Sequence, residues 1–385
     1  MYLDSHNAGE CCGCSACNAV CPQKAISMKL DSKGFLAPVI NEERCVHCNL
    51  CRNVCSFHLN NTCDHSVLSG YAMSHSDAAV LKKSRSGGAF YALASVIIND
   101  FNGSVWGAAF DESLKVIHTK ITSVNELSRL QGSKYVQSEM GEAFEDVYKE
   151  LQTGKYVLFS GTACQVAGLE SYLKKKRSNT EHLLTCDIIC QGVPSPAVYK
   201  DYLDYLENKY KKKLSYFNFR DPSRIGWEGH EESFSFAGSS KRYYSRSFSN
   251  LYYRYYMRES CFECKYTNLH RPGDFSLGDF WGIKEKYPDY YEKNGNSLVL
   301  INSEKGESFF ERIKPFIKYV AVDIEDALQP RLRSPASKPD SYDRFWDDFA
   351  SGITGYCIEK YGRESLKSKI VYFIKPVLRK IGKNI

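Results

Sequence analysis

The sequence has no run of about 18 apolar residues in its 385, so no membrane-spanning helix is expected. Its opening stretch, "MYLDSHNAGE", has neither a basic segment nor an apolar core, so no secretory signal is expected there. Without export a disulfide scaffold is not expected, and a reducing, cytoplasmic setting is. The nine histidines fall at no metal-ligand spacing and read as structural or exposed. The net charge of +6 is matched by the tail from Lys360 onward, with eight Lys or Arg and one Glu. The rest is nearly neutral, which argues against a nucleic-acid-binding body. "RYYSRSFSNLYYRYYMRES" interleaves basic and aromatic residues, which can stack bases. Its β-propensity favours instead a pair of strands packing beside a core.

Cysteine is abundant. There are sixteen, and nine lie within residues 11–55. Cys11, Cys14, Cys17 and Cys21 follow the pattern C-x2-C-x2-C-x3-C, with Pro22 next, and Cys45, Cys48, Cys51 and Cys55 repeat it. This is the spacing of a bacterial two-cluster ferredoxin. Three closely spaced thiolates hold one corner of each 4Fe–4S cubane, and the fourth cysteine crosses to the other cluster. One cluster is expected on Cys11, Cys14, Cys17 and Cys55, the other on Cys45, Cys48, Cys51 and Cys21. Zinc knuckles use paired C-x2-C units rather than two full quartets. Ser56 replaces the usual second proline and removes no ligand. Cys12 is an extra cysteine without a role in this scheme.

Residues 1–62 therefore read as an α+β ferredoxin-like domain, with "DSKGFLAPVINEERC" as a hairpin-like connection. "LNNTCDHSVLSG", with lone Cys63, reads as a linker. Over 67–212 strands and helices alternate, which predicts βαβ units and a mainly parallel sheet. The helix of "SGGAFYALASVIIND" is expected to be capped by Ser86, and that of "SPAVYKDYLDYLENKYKKK" by Ser195 with Pro196 in its first turn. Residues 213–350 form an irregular, aromatic-rich part completing the site, and 351–385 a basic tail. Pro376 interrupts any long helix in that tail. A helix packed on the domain with a solvated basic face, or a peripheral contact with anionic lipid or an acidic partner, is expected of it.

Four further cysteines stand where chemistry gathers. Cys164 follows the strand "YVLFSG" and opens a helix, which favours its thiolate. Cys190 ends the strand "LLTCDIIC", and Cys261 and Cys264 form a C-x2-C in "RESCFECKY". In a parallel sheet the first two lie near the carboxyl edge, where ligands bind. Spacing alone leaves a third 4Fe–4S cluster, a zinc site and unrelated buried thiols all open. Cys186, in strand with Cys190, competes as a ligand.

The stretches "SGGAF", "GSKYVQS", "LFSGTACQVAGL", "IICQGVPSP", "FRDPSRIGW", "RESCFECKYTNLHRPGDFSLGDFWG" and "SLVLINSEKG" resemble the beta subunits of coenzyme F420-reducing hydrogenases and dehydrogenases, here preceded by a ferredoxin domain. The resemblance implies FAD and a third 4Fe–4S cluster on Cys164, Cys190, Cys261 and Cys264. Ala163 stands where relatives often have proline. Gln191 stands where many have histidine, which puts proton transfer there in doubt. Ser86, Gly87 and Gly88 at a helix start suit a pyrophosphate. Ser133, Lys134 and Tyr135 suit phosphate and ring contacts. Asp274, Asp279 and Trp281 resemble a family signature, catalytic or structural.

Two functions follow as expectations. One is an iron–sulfur flavoprotein oxidoreductase, fed by a redox partner or low-potential donor. It would exchange hydride with a deazaflavin, a nicotinamide or another small molecule, including a sugar of surface-polysaccharide synthesis. The other is an electron-transfer subunit with no substrate of its own. A zinc-structured binding module is a third reading.

Overall fold

The computed structural model describes residues 1–59, 66–252 and 255–363. The segment around Cys63 and the tail beyond residue 363, with the contacts expected of it, lie outside the described residues. None of the described helices is long and apolar enough to cross a membrane.

At the N-terminus, β1 (Ile26–Leu30) and β2 (Leu36–Ile40) form an antiparallel hairpin, with Ile26 opposite Ile40. The Asp31 carboxylate accepts from the N–H groups of Lys33 and Phe35, both at 2.9 Å, and so ties the turn. At the tip, Gly34 has φ 72°, and a Cβ there would lie 2.0 Å from the Ala197 side chain. Ser195 Oγ donates to the carbonyl of Lys33 at 2.7 Å, so the hairpin is seated on the start of helix Pro196–Tyr210. Ser195 also caps that helix, as its sequence predicts, by accepting from Ala197 N at 3.2 Å.

The large sheet contains β3 (Ser69–His75), β4 (Ser104–Phe110), β5 (Val116–Ile121), β6 (Val157–Thr162) and β7 (Leu183–Ile188). Beyond the small antiparallel sheet of β8 (Leu214–Asn218), β9 (Glu232–Phe236) and β10 (Tyr243–Ser245), it resumes with β11 (Phe275–Asp279), β12 (Ser297–Ile301) and β13 (Ile317–Ala321). Its order is β13-β3-β12-β11-β7-β6-β4-β5. The parallel pairing expected of alternating strands and helices holds among β11, β7, β6 and β4. The strands on either side of these run antiparallel.

Helix Ala89–Phe101 covers this sheet because Ala89, Ala92, Leu93, Val96 and Ile97 recur at helical spacing and are all buried. Full burial of each larger aliphatic is worth about 1.5–3 kcal/mol. Its cap differs from the expectation. Gly88, in left-handed geometry at φ 84°, is the N-cap, and no side chain caps it. Ser86 is diverted because its hydroxyl donates to the Asn296 carbonyl at 2.8 Å and meets Ser297 Oγ at 3.2 Å.

The tyrosine-rich stretch also departs from a pair of strands. After β10 it turns into helix Ser247–Tyr252, because Phe248, Leu251 and Tyr252 lie at i, i+3 and i+4 and bury together.

Candidate functional site

The two N-terminal quartets are built alike. Each ends in a five-residue helix, Ala16–Val20 or Leu50–Val54. Each bends its loop through left-handed residues at matching places, Gly13 (φ 70°) and Ser15 (φ 69°) against His47 (φ 50°) and Asn49 (φ 59°). Backbone N–H groups approach two of the sulfurs: Gly13 N lies 3.3 Å from Cys11 Sγ, and Ala25 N lies 3.4 Å from Cys21 Sγ.

Burial raises the Cys17 thiol most, and Cys14, Cys11, Cys55 and Cys51 then add to it. Burial likewise pushes Cys55 up to about 11, with Cys14 and Cys11 among its neighbours. Cys51, raised by burial, instead feels Cys48 and Cys21. Cys48 is exposed, so the second group faces solvent. Cys45 Sγ is 3.9 Å from His47 Nδ1, and Glu42 completes a small surface cluster with that pair.

The four remote cysteines also come together. Cys164 sits in the first turn of helix Ala163–Lys175, where Thr162 and Gln165 form a reciprocal cap, with Thr162 N to Gln165 Oε1 at 2.9 Å. Its thiol is held below the ordinary range, chiefly by its contact with Cys12 and then by the Thr162 hydroxyl at 3.1 Å. The helix position foresaw the direction; the main cause is Cys12, a residue without a role in the sequence reading. Burial pushes Cys190 up to about 12, and Cys164 and Cys264 add to this. Burial raises Cys261, with Cys190 and Cys264 next. The N–H groups of Gly192 and Val193 point at the sulfurs of Cys190 and Cys261, each at 3.4 Å.

Cys186 stands apart. β7 ends at Ile188, so strand alternation does not carry through to Cys190. The Cys186 side chain packs in the main core with Leu158, Leu184 and Phe275, and touches the cavity described next. Burial raises its thiol, and the neighbours that add to this are Asp187 and Asp274 rather than cysteines.

A cavity of roughly 340 Å³ opens beside this group. Cys12, Cys164 and Cys190 line it, as do Arg85, Ser86 and Gly88. Helix Ala89–Phe101 begins at its wall, with Ala89 and Phe90 in the lining. Gly87 supports the wall from behind, because a Cβ there would lie 2.0 Å from the Met73 carbonyl.

Ser133, Lys134 and Tyr135 all line the cavity. Lys134 is committed elsewhere. Its ammonium donates to the carbonyls of Arg129, Leu130, Gln131 and Gly132 at 2.8–3.3 Å, closing the C-terminus of helix Leu127–Leu130. Burial, then Arg85, lowers its pKa to about 7. The cation that sequence reasoning missed is Arg85. Its Nε and Nη1 are buried without a hydrogen-bond partner among the described residues. Its place inside "SRSGG", beside a helix start, was the available signal.

Tyr135 stacks on Tyr252 at 4.8 Å. Trp281, also in the lining, lies flat on Trp227 at 5.2 Å and remains 36% exposed. Asp279 pairs with Arg220 at 2.5 Å, and the Arg220 guanidinium lies 5.2 Å from the Trp281 ring. Asp274 is structural: it accepts from Thr185 N at 2.8 Å and from Ser303 Oγ at 2.5 Å. Gln191 accepts from Arg331 Nε at 3.3 Å. His118 is buried in the wall between Ser138 Oγ (2.8 Å) and Ser160 O (3.0 Å), and burial lowers its pKa to about 4.

Comparison with known proteins finds two family matches. Residues 10–58 match the 4Fe-4S dicluster domain. Residues 154–326 match the C terminus of the beta subunit of coenzyme F420 hydrogenase/dehydrogenase. No curated protein matches the chain. Among solved structures, a chain of the F420-reducing [NiFe] hydrogenase complex from Methanosarcina barkeri is similar at 15% identity and a TM-score of 0.47, over 77% of this chain and 90% of that one.

Proposed function

We propose that this chain, which joins a 4Fe-4S dicluster domain to the C-terminal domain of coenzyme F420 hydrogenase/dehydrogenase beta subunits, is an iron–sulfur flavoprotein oxidoreductase. The observation that carries the reading is one cavity lined at once by Cys164 and Cys190, by Cys12 of the dicluster domain, and by Arg85, whose buried Nε and Nη1 have no hydrogen-bond partner among the described residues. Cys11, Cys14, Cys17 and Cys55 would hold one cluster of the dicluster domain, and Cys21, Cys45, Cys48 and Cys51 the other. Cys164, Cys190, Cys261 and Cys264 would hold a third. The donor set supports this: these are soft thiol ligands, with N–H groups of Gly13, Ala25, Gly192 and Val193 directed at the sulfurs.

FAD would occupy the cavity. Buried N–H groups without an acceptor are costly, so Arg85 Nε and Nη1 call for one although Asp221 lies near, and the uncapped start of helix Ala89–Phe101 adds a positive dipole end beside them. Arg85 and that helix start, with Ser133 and Tyr135 in the wall, replace Lys134 in the expected phosphate and ring contacts. When bound, the clusters carry single electrons and the flavin converts two of them into one hydride. The exposed Trp281 face, with the Arg220–Asp279 pair, would receive a planar or ring-shaped small molecule at the mouth, a deazaflavin or nicotinamide among them. The exposed group around Cys48 would meet the redox partner.

The test is anaerobic purification followed by denaturation. Released FAD and about 12 irons with matching sulfide per chain support the proposal. Iron without flavin, even after reconstitution with FAD, would leave an electron-transfer subunit instead.

A further inference from the structure

Arg271 and Asp187 form an ion pair in the interior, with 1% and 0% of their surfaces exposed. Arg271 lies in the segment 264–274, which belongs to no helix or named strand and leads from Cys264 into β11. Asp187 lies on β7, where the parallel pairing sets it opposite Ser276 of β11. Arg271 Nε donates to Asp187 Oδ1 at 3.1 Å and to Ser276 Oγ at 3.0 Å, and Nη2 also donates to Asp187 Oδ1. Asp187 Oδ2 accepts from Gly273 N at 3.0 Å. Such a pair adds little stability by itself, because desolvating two charges offsets most of their attraction.

The other donors of the guanidinium reach two backbone carbonyls. Nη1 donates to the carbonyl of Tyr266, two residues after Cys264. Nη2 donates at 3.1 Å to the carbonyl of Ile188, two residues before Cys190. Ile188 is the last residue of β7, and Tyr266 stands in a turn that no sheet ladder fixes. One planar group thus joins the segments that carry Cys190 and Cys264. The Tyr266 ring extends the tie. It shares an apolar cluster with Ala163 and Ala167, from the helix on which Cys164 sits, and Cys164 and Cys264 pack against that cluster.

We propose that Arg271 is a positioning residue that clasps the Cys190 and Cys264 segments at the separation required by a single iron–sulfur site on Cys164, Cys190, Cys261 and Cys264. The inference rests on the ligand set proposed above. Its fork matters as much as its charge. A guanidinium spreads its donors over separate nitrogens in one plane and serves Asp187 and both carbonyls together. A lysine ammonium is a single point of charge, which can satisfy Asp187 but cannot span the two segments. Among the described residues, no hydrogen-bond partner of Arg271 belongs to the dicluster domain, so the clusters there do not depend on the clasp.

The experiment is anaerobic reconstitution of the full chain with iron and sulfide. It is read by iron and sulfide content and by paramagnetic resonance of the reduced protein. Wild type is compared with Arg271→Lys and with Arg271→Met/Asp187→Asn, in which both charges go together and the new amide can still accept from Gly273 N. Wild type should carry about 12 irons per chain and both variants about 8. One cluster signal should vanish in each variant while the two dicluster signals keep their wild-type intensity. Near-ultraviolet circular dichroism of the metal-free chains, which reports fixed aromatic packing, should match wild type. A role confined to holding the fold would not give that selective loss. Full iron content with three signals in either folded variant overturns the clasp and leaves the third site standing. If one variant loses its dichroism, the other decides; loss in both overturns the clasp, since Arg271 then holds the fold rather than the site. A wild-type count of about 8 irons overturns the third ligand set, and the clasp with it.

Discussion

Gly168 lies directly against Cys14: a Cβ at Gly168 would be 2.9 Å from both the β-carbon and the sulfur of Cys14. Gly168 is one helical turn beyond Cys164, so both face the dicluster loop from the same side of helix Ala163–Lys175. Gly168→Val should wedge the loop outward. The expected cost is about 1–3 kcal/mol, read as a lower midpoint in anaerobic denaturant unfolding. An unchanged midpoint would show that the loop yields freely there.

Cys261→Ser should lower the iron content from about 12 to about 8 per chain. Flavin should remain bound, because Cys261 is not among the residues that line the cavity. Cys186→Ser should leave the iron content at wild-type level, since its thiol packs in the core. Iron and sulfide analysis checks both variants, and iron loss in Cys186→Ser alone would reverse the ligand assignment.

Arg85→Met and Lys134→Met should separate. The first removes the unpartnered cation and should weaken FAD binding by about 1.5–3 kcal/mol, the worth of a hydrogen bond to a charged group. The second leaves helix carbonyls unpaired and should lower stability more than flavin affinity. Flavin titration beside thermal unfolding measures the two effects.

His118 gives a pH signature. Its pKa, near 6.5 in the unfolded chain, is lowered to about 4 in the fold by burial. Its contribution is therefore complete above about pH 6.5 and fades as pH falls towards 4, because the unfolded state binds the proton first. At full extent the effect is about 3 kcal/mol. Unfolding measured from pH 7 to 4 should show a slope of up to one proton that His118→Gln removes. An equal slope in both proteins would assign the acid sensitivity elsewhere.

Much of this protein is written locally. Two quartets at ferredoxin spacing lie within 45 residues, so the dicluster domain could be read from spacing alone. Helix Pro196–Tyr210 likewise carries its own cap in Ser195 and Pro196. Where a residue had two possible partners, the tertiary structure decided. Ser86 was free to cap a helix until Asn296 and Ser297, at the start of β12, arrived beside it. Lys134 was free to meet a phosphate until the preceding turn presented four carbonyls. Cys186 and Cys190 looked equivalent until β7 ended between them and left one in the core. Arg85 gained its importance only from the burial of Nε and Nη1, which removes the water that would otherwise solvate them. A sequence states which charges exist; only packing decides which of them are left without water and in need of a partner.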